Sequence, residues 1–171
     1  MAERPREIKI HTHPLSLVQD PERVRLAQRG ELIHRALFFL EYCSGREDIE
    51  RAILRAFALH GIDRERWDIE KDFLGPLWAA LSLPEVRPWF ERGVKSLREV
   101  EVIDAQGELH RIDRLIISGD ALEVIDFKVA RREQGHRDQV DLYQGLAEAV
   151  FRRPAKGYLL YIDEPAVVAV P

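Results

Sequence analysis

The run from residue 97 to residue 128, LREVEVIDAQGELHRIDRLIISGDALEVIDFK, decides the fold. After Gly93 the apolar spacing shortens from the helical period towards two, and the run divides into three strands, 97–103, 108–117 and 121–128. Ser118-Gly119-Asp120-Ala121 suits a two-residue hairpin loop at Gly119-Asp120. That loop sets Asp113 directly opposite Asp126, and Arg111 opposite Lys128. Ala105-Gln106-Gly107 suits a three-residue loop with Gly107 in the left-handed conformation, which sets Glu99 opposite Asp113.

With both registers in place, Glu99, Asp113 and Asp126 form a row across three neighbouring strands, their Cβ atoms about 4.5 to 5.5 Å apart. Lys128, two residues beyond Asp126, points to the same face. On a solvated face these acids would be ordinary surface residues. Leu97, Leu115, Ile117, Leu122 and Val124 share the face, however, and that alternation argues for a sheet covered by helices. Three carboxylates on a covered face repel one another, and a divalent cation bound by their oxygens relieves the repulsion. Carboxylates that hold a cation beside an ammonium able to hold a water are the minimal apparatus for metal-dependent phosphodiester cleavage.

Outward from the strands, the pattern is helical on the N-terminal side. Residues 1–19 show no period and contain Pro5 and Pro14, so they read as an arm or linker, with one domain over 20–171. Asp20-Pro21 supplies an N-cap and a first-turn proline for a helix that the apolar face carries to about Tyr42. Ser44-x-x-Glu47 resembles a capping box for a second helix closed by Gly61. Asp63 can cap a third running to about Leu81, and a short broken helix follows over 82–92. Beyond the strands, an amphipathic helix over about 136–151 places Gln139 and Tyr143 one turn apart on one face, and apolar strands over 156–162 and 166–170 finish the chain.

Composition bounds the rest. A chain of 171 residues with 46% hydrophobic content is the size of one ordinary domain. The single cysteine, Cys43, excludes a disulfide framework and any four-cysteine zinc or iron–sulfur site, and it fits a reducing, cytoplasmic setting. The sequence offers no stretch apolar enough to cross a bilayer and no signal-peptide core, so no membrane association is expected. Oligomeric state is not legible.

The ordered set Gly30-x-x-x-His34, Arg98-Glu99-Val100, Ile112-Asp113-Arg114, Val124-Ile125-Asp126-Phe127-Lys128 and Gln139-x-x-x-Tyr143 closely resembles the RecB-like nucleases of the PD-(D/E)xK superfamily. Such domains often form the C-terminal part of UvrD-type helicase-nucleases of the RecB and AddA type. The resemblance implies an α/β restriction-endonuclease-like core, a central mixed sheet flanked by helices with a helical N-terminal half. It implies DNA as the substrate, Mg²⁺ or Mn²⁺ as the cofactor, and a UvrD-like helicase motor in the same chain or complex. By the same resemblance His34, Asp113, Asp126 and the backbone carbonyl of Phe127 hold the metal, and Glu99 positions the metal or a water. Lys128 orients the attacking water, while Gln139 and Tyr143 support the site or touch the nucleic-acid backbone. The implied activity is exonucleolytic or single-strand endonucleolytic, in DNA-end processing or recombinational repair.

Two features pull against this reading. The net charge of −4, from 26 basic and 30 acidic side chains, is not that of a strongly basic nucleic-acid binder. A cation site must itself be acidic, though, and a module carried on a larger machine can leave phosphate contacts to its neighbours. Arg111, preceded by His110, stands where many relatives carry glycine, which bears on substrate fit rather than on metal binding. Gly30, one turn before His34, points to close approach between helix and site. The competing readings are a non-cleaving DNA-binding or protein-docking module that retains the fold, and an interaction domain whose acidic row is solvated.

Overall fold

The computed structural model describes residues 20–129 and 133–171, so the expected arm over 1–19 lies outside the described residues. Three helices come first: α1 (Pro21–Phe39), α2 (Arg46–His60) and α3 (Gly75–Leu81). Then come β1 (Ser96–Ile103), β2 (Leu109–Ser118) and β3 (Ala121–Lys128), α4 (Gln134–Phe151), β4 (Ala155–Tyr161) and β5 (Ala166–Val170). The strands form one mixed sheet in the order β1-β2-β3-β4-β5. Among the described strands only the β3–β4 pair is parallel, because α4 carries the chain back between those strands.

Both hairpin registers are those that the turn chemistry demands. Leu115 pairs with Val124 and Ser118 with Ala121 across the Gly119-Asp120 loop, while Val100 pairs with Ile112 across the turn where Gly107 has φ 85°. Neighbouring strand residues face opposite cores. Ile116, Ile125 and Phe127 pack with α1, α2 and α3, whereas Leu115, Leu122 and Val124 pack with Tyr143 and Ala147 of α4.

The alternation inverts at one place. Ile112 and Val100 lie in the α4-side core together with Leu115, although strict alternation from Leu115 would put Ile112 on the other face. Between Arg98↔Arg114 and Val100↔Ile112 the pairing lapses, and Glu99 adopts φ 48° there, a left-handed conformation costly for a residue with a β-carbon. Glu99 and Asp113 are therefore in register without forming a regular ladder pair.

The N-terminal helices depart from expectation in detail. α1 stops at Phe39 rather than about Tyr42, because the carbonyls of Leu40 and Glu41 bond to Arg114 Nη1 and Nη2 at 2.9 and 2.7 Å. The cap of α2 falls one residue later than Ser44-x-x-Glu47 implies: the Asp48 carboxylate accepts the N–H groups of Ser44 and Gly45 at 2.7 and 3.3 Å. Asp63 caps only a single turn, Arg64–Arg66. There the chain extends so that Trp67 can pack edge-on to Phe57 and Phe73, and Asp68 restarts the helix by accepting Lys71 N–H at 3.0 Å.

That restarted helix opens into a π turn over Glu70–Leu74. Pro76 has no N–H, so the carbonyl of Asp72 four residues back lacks its helical donor, and Arg29 Nε supplies one at 2.7 Å. The same arginine grips Asp163 in the β4–β5 turn at 2.9 and 2.7 Å, tying α1 both to the π turn before α3 and to that β-turn.

Arg114 is the largest fully buried side chain at 1% exposure. It donates to the carbonyls of Leu40, Glu41 and Trp89 and lies 4.0 Å over the Phe90 ring, and burial lowers its pKa to about 9. On the opposite face, Gly157 of β4 lets α4 come so close that an added Cβ would collide with Val140 and Gln144. Arg114→Leu should cost about 3 to 5 kcal/mol in urea unfolding, since the carbonyls of Leu40, Glu41 and Trp89, two of them in buried bonds, would lose their charged donor. Gly157→Ala should cost about 1 to 3 kcal/mol by overpacking, with α4 displaced.

Candidate metal centre

His34 and Arg35 on α1, Asp113 on β2, and Asp126 and Lys128 at the end of β3 line one open cavity of about 480 Å³. Gln139 and Tyr143 of α4 and Glu99 of β1 complete its wall, with Glu31 and Arg111 at the same opening. Helices from both faces of the sheet therefore meet at the end of the central strands. His34 and Asp113 are 79 positions apart in the sequence, so proximity is a product of the fold.

The contacts are specific. His34 Nδ1 lies 3.5 Å from Asp113 Oδ2, and that same oxygen accepts the Phe127 N–H at 2.9 Å. The second bond replaces the strand pairing, which ends at Arg114↔Ile125, two residues before Phe127. Phe127 thus has its amide bonded to Asp113, while its ring is buried in the α1-side core. Lys128 Nζ sits 2.7 Å from Asp126 Oδ2 and donates to Gln139 Oε1 at 2.7 Å, and Gln139 Nε2 donates to Tyr143 Oη at 2.7 Å. A polar chain therefore runs from the sheet carboxylate to α4, made possible by the one-turn spacing of Gln139 and Tyr143.

Asp126 is the strained member. It is only 3% exposed, and although Lys128 makes an ion pair with Oδ2, that oxygen has no aligned hydrogen bond among the described residues. Burial first, and then the charge of Asp113, push its pKa up to about 6, against the pull of Lys128 and His34. Burial alone would lower the His34 pKa, but its bond to Asp113 and the charges of Asp113 and Asp126 outweigh this and raise it. Tyr143 is raised as well, chiefly by burial.

A buried carboxylate oxygen without a hydrogen bond, a second carboxylate beside it and a half-exposed imidazole form a donor set that fits a divalent cation such as Mg²⁺ or Mn²⁺. With a lysine alongside, the arrangement can neutralise charge on a phosphate and orient a water. The structure brings together every side chain that the strand and helix patterns single out.

Some residues read differently in three dimensions. A Cβ on Gly30 would meet nothing within 4 Å, so this glycine marks no close approach of α1 to the site. Glu31 and Arg35 were not legible as site residues. Glu31 stands three before His34 and four before Arg35 and so lies one turn from each, but charged helical residues at that spacing are usually solvated. A separate group, Asp104, Glu108 and His110, gathers at the β1–β2 turn. There Asp104 is committed to the N–H groups of Gln106 and Glu108 at 2.9 and 2.9 Å and to His110 Nε2 at 2.8 Å, so the group shapes the turn.

The fold and this cavity define a class: an α/β domain with an acidic, lysine-bearing site at the end of a mixed sheet. A family model for the PD-(D/E)XK nuclease superfamily matches residues 10–169, and the chain belongs to that superfamily. No curated protein matches the sequence. A solved structure, the crystal structure of SSO0001, is similar at 25% identity with a TM-score of 0.35, over 81% of this chain and 64% of that one, so the chain spans just under two thirds of that protein. No described helix is long and apolar enough to cross a membrane.

Asp126 gives a stability test. An acid whose pKa is raised on folding holds its proton more tightly in the folded state, so metal-free stability falls as pH rises from about 4 through 6 and the penalty persists above that range. In chelator at pH 8, Asp126→Asn should therefore melt higher than wild type by roughly 2 °C or more, and the gain should shrink towards pH 4. Equal or lower melting at pH 8 would contradict the electrostatic account.

Proposed function

We propose that this chain is a RecB-like, Mg²⁺- or Mn²⁺-dependent deoxyribonuclease that works in DNA-end processing or recombinational repair, as the C-terminal module of a helicase-nuclease. The observation that carries the reading is the meeting of His34, Asp113, Asp126 and Lys128, drawn from a helix and two strands, in one cavity. Residues 20–171 make up the nuclease domain, and a UvrD-like motor in the same chain or complex delivers the DNA strand.

His34, Asp113 and Asp126, with the Phe127 carbonyl, would hold the cation. When bound, it supplies charge neutralisation at the phosphate and makes a water more acidic. Asp126 gains most from this, because its buried carboxylate is the one most penalised by burial and by a neighbouring charge. Lys128 orients the attacking water and steadies charge on the phosphoryl oxygens, and its ammonium is aimed by Asp126 on one side and Gln139 on the other. Tyr143 fixes the Gln139 amide and so keeps the lysine in place.

Cleavage of labelled single-stranded and duplex DNA, measured beside Mn²⁺ calorimetry, tests the reading. Lys128→Ala should lower cleavage by a factor on the order of 10² to 10³ while Mn²⁺ still binds. Asp113→Ala should abolish both. Retained cleavage in Lys128→Ala would remove the lysine from the mechanism, and Mn²⁺ binding by wild type without cleavage would favour a non-cleaving DNA-binding module.

A further inference from the structure

We propose that Arg35 and Arg111 contact the phosphate backbone of the substrate strand and that Glu99 is their anchor, not a ligand of the cation. The proposal rests on the nuclease reading above and concerns the side of the cavity away from Lys128.

Glu99 faces two arginines and is hydrogen-bonded to one of them. Arg35 Nη1 donates to Oε2 at 3.1 Å, and Arg111 Nη1 stands 4.0 Å from Oε1. A carboxylate between two guanidinium groups keeps less negative potential for a cation, whereas Asp126, with one ammonium at 2.7 Å, is also beside the second carboxylate of Asp113. The backbone agrees with this division. The left-handed φ of 48° takes Glu99 out of the ladder with Asp113, and its carboxylate engages α1 instead of completing the acidic row. Such strain persists only where the surroundings enforce it, and the arginine contacts are those surroundings.

The arginines are placed for a ligand. Arg35 is partly covered, lies over the Phe38 ring at 5.2 Å and has its Nε buried without a partner among the described residues. That Nε is closed to solvent, so contact with a phosphate falls to the outer guanidinium nitrogens. Arg111 is more than half exposed at the rim. A planar fork matches two phosphate oxygens, which a lysine at the same point would not do.

The charge balance points the same way. Among the described residues, the carboxylates lining the cavity outnumber its permanent cations by one, counting Arg35, Arg111 and Lys128. A divalent cation reverses that sign, and one phosphodiester then neutralises the site, so DNA affinity and metal affinity reinforce each other. Without the two arginines the loaded cavity would stay negative and would repel the strand.

The test is fluorescence anisotropy of labelled single-stranded and duplex oligonucleotides, with Ca²⁺ replacing Mg²⁺ to hold the complex uncleaved, titrated across a range of KCl concentrations. Arg35→Ala and Arg111→Ala should each weaken binding about tenfold or more and reduce the slope of log affinity against log salt by about 0.7 to 0.9. Mn²⁺ calorimetry on both should match wild type. Arg35→Lys, which keeps the charge and serves if the alanine variant folds poorly, should retain the slope while losing affinity. Glu99→Gln should weaken DNA binding with Mn²⁺ affinity unchanged. An unchanged salt slope in both alanine variants, or loss of Mn²⁺ affinity in Glu99→Gln, would overturn the proposal. Wild-type protein that neither binds Mn²⁺ nor cuts DNA would instead overturn the nuclease reading, and the proposal with it.

Discussion

The buried guanidinium of Arg114 is the contact on which the arrangement of this domain depends. It reaches from β2 to the carbonyls of Leu40 and Glu41 just past α1 and to that of Trp89, with the Phe90 ring beneath it. A charge this deeply buried is costly unless it is compensated, and here two carbonyls just past the end of α1 and that of Trp89 take the Nη donors, while Nε has no partner among the described residues. Three consequences follow: α1 must stop where it does, its axis is fixed against the sheet, and His34 is held beside Asp113, the residue next to Arg114.

The second face of the sheet is set by shape rather than charge. Gly157 leaves room for Val140 and Gln144, so α4 lies directly on β4, and the parallel crossover from β3 returns α4 past the strand end that carries Asp126 and Lys128. Gln139 then meets Lys128, and Tyr143 packs into the core below it. The site is a seam between two independent packing solutions, one electrostatic and one steric. Its own electrostatics oppose folding, since Asp126 is buried next to another carboxylate. A cation bound there would relieve that opposition.

Legibility followed the range of the interaction. Gly107 and Gly119, with their neighbours, specified both hairpins, so the facing of Asp113 and Asp126 was readable without coordinates. The α4 pair, Gln139 and Tyr143, was readable from helical spacing. The inversion at Glu99 was not, because it answers to Arg35, which lies 64 positions earlier. Gly30 looked like a site feature and is open to space, and the third helix looked continuous until Trp67 left it for an aromatic cluster.

The sequence by itself therefore determined the strands, their registers, the flanking amphipathic helices and the residue types able to hold a cation. These depend on backbone preferences and on neighbours within a turn or a hairpin. Tertiary structure alone decided that His34 meets Asp113, that Glu99 turns to two arginines, and that Asp126 is the carboxylate buried furthest from water. Each of those outcomes depends on desolvation and on charges brought together from distant parts of the chain, and neither quantity exists until the helices close over the sheet.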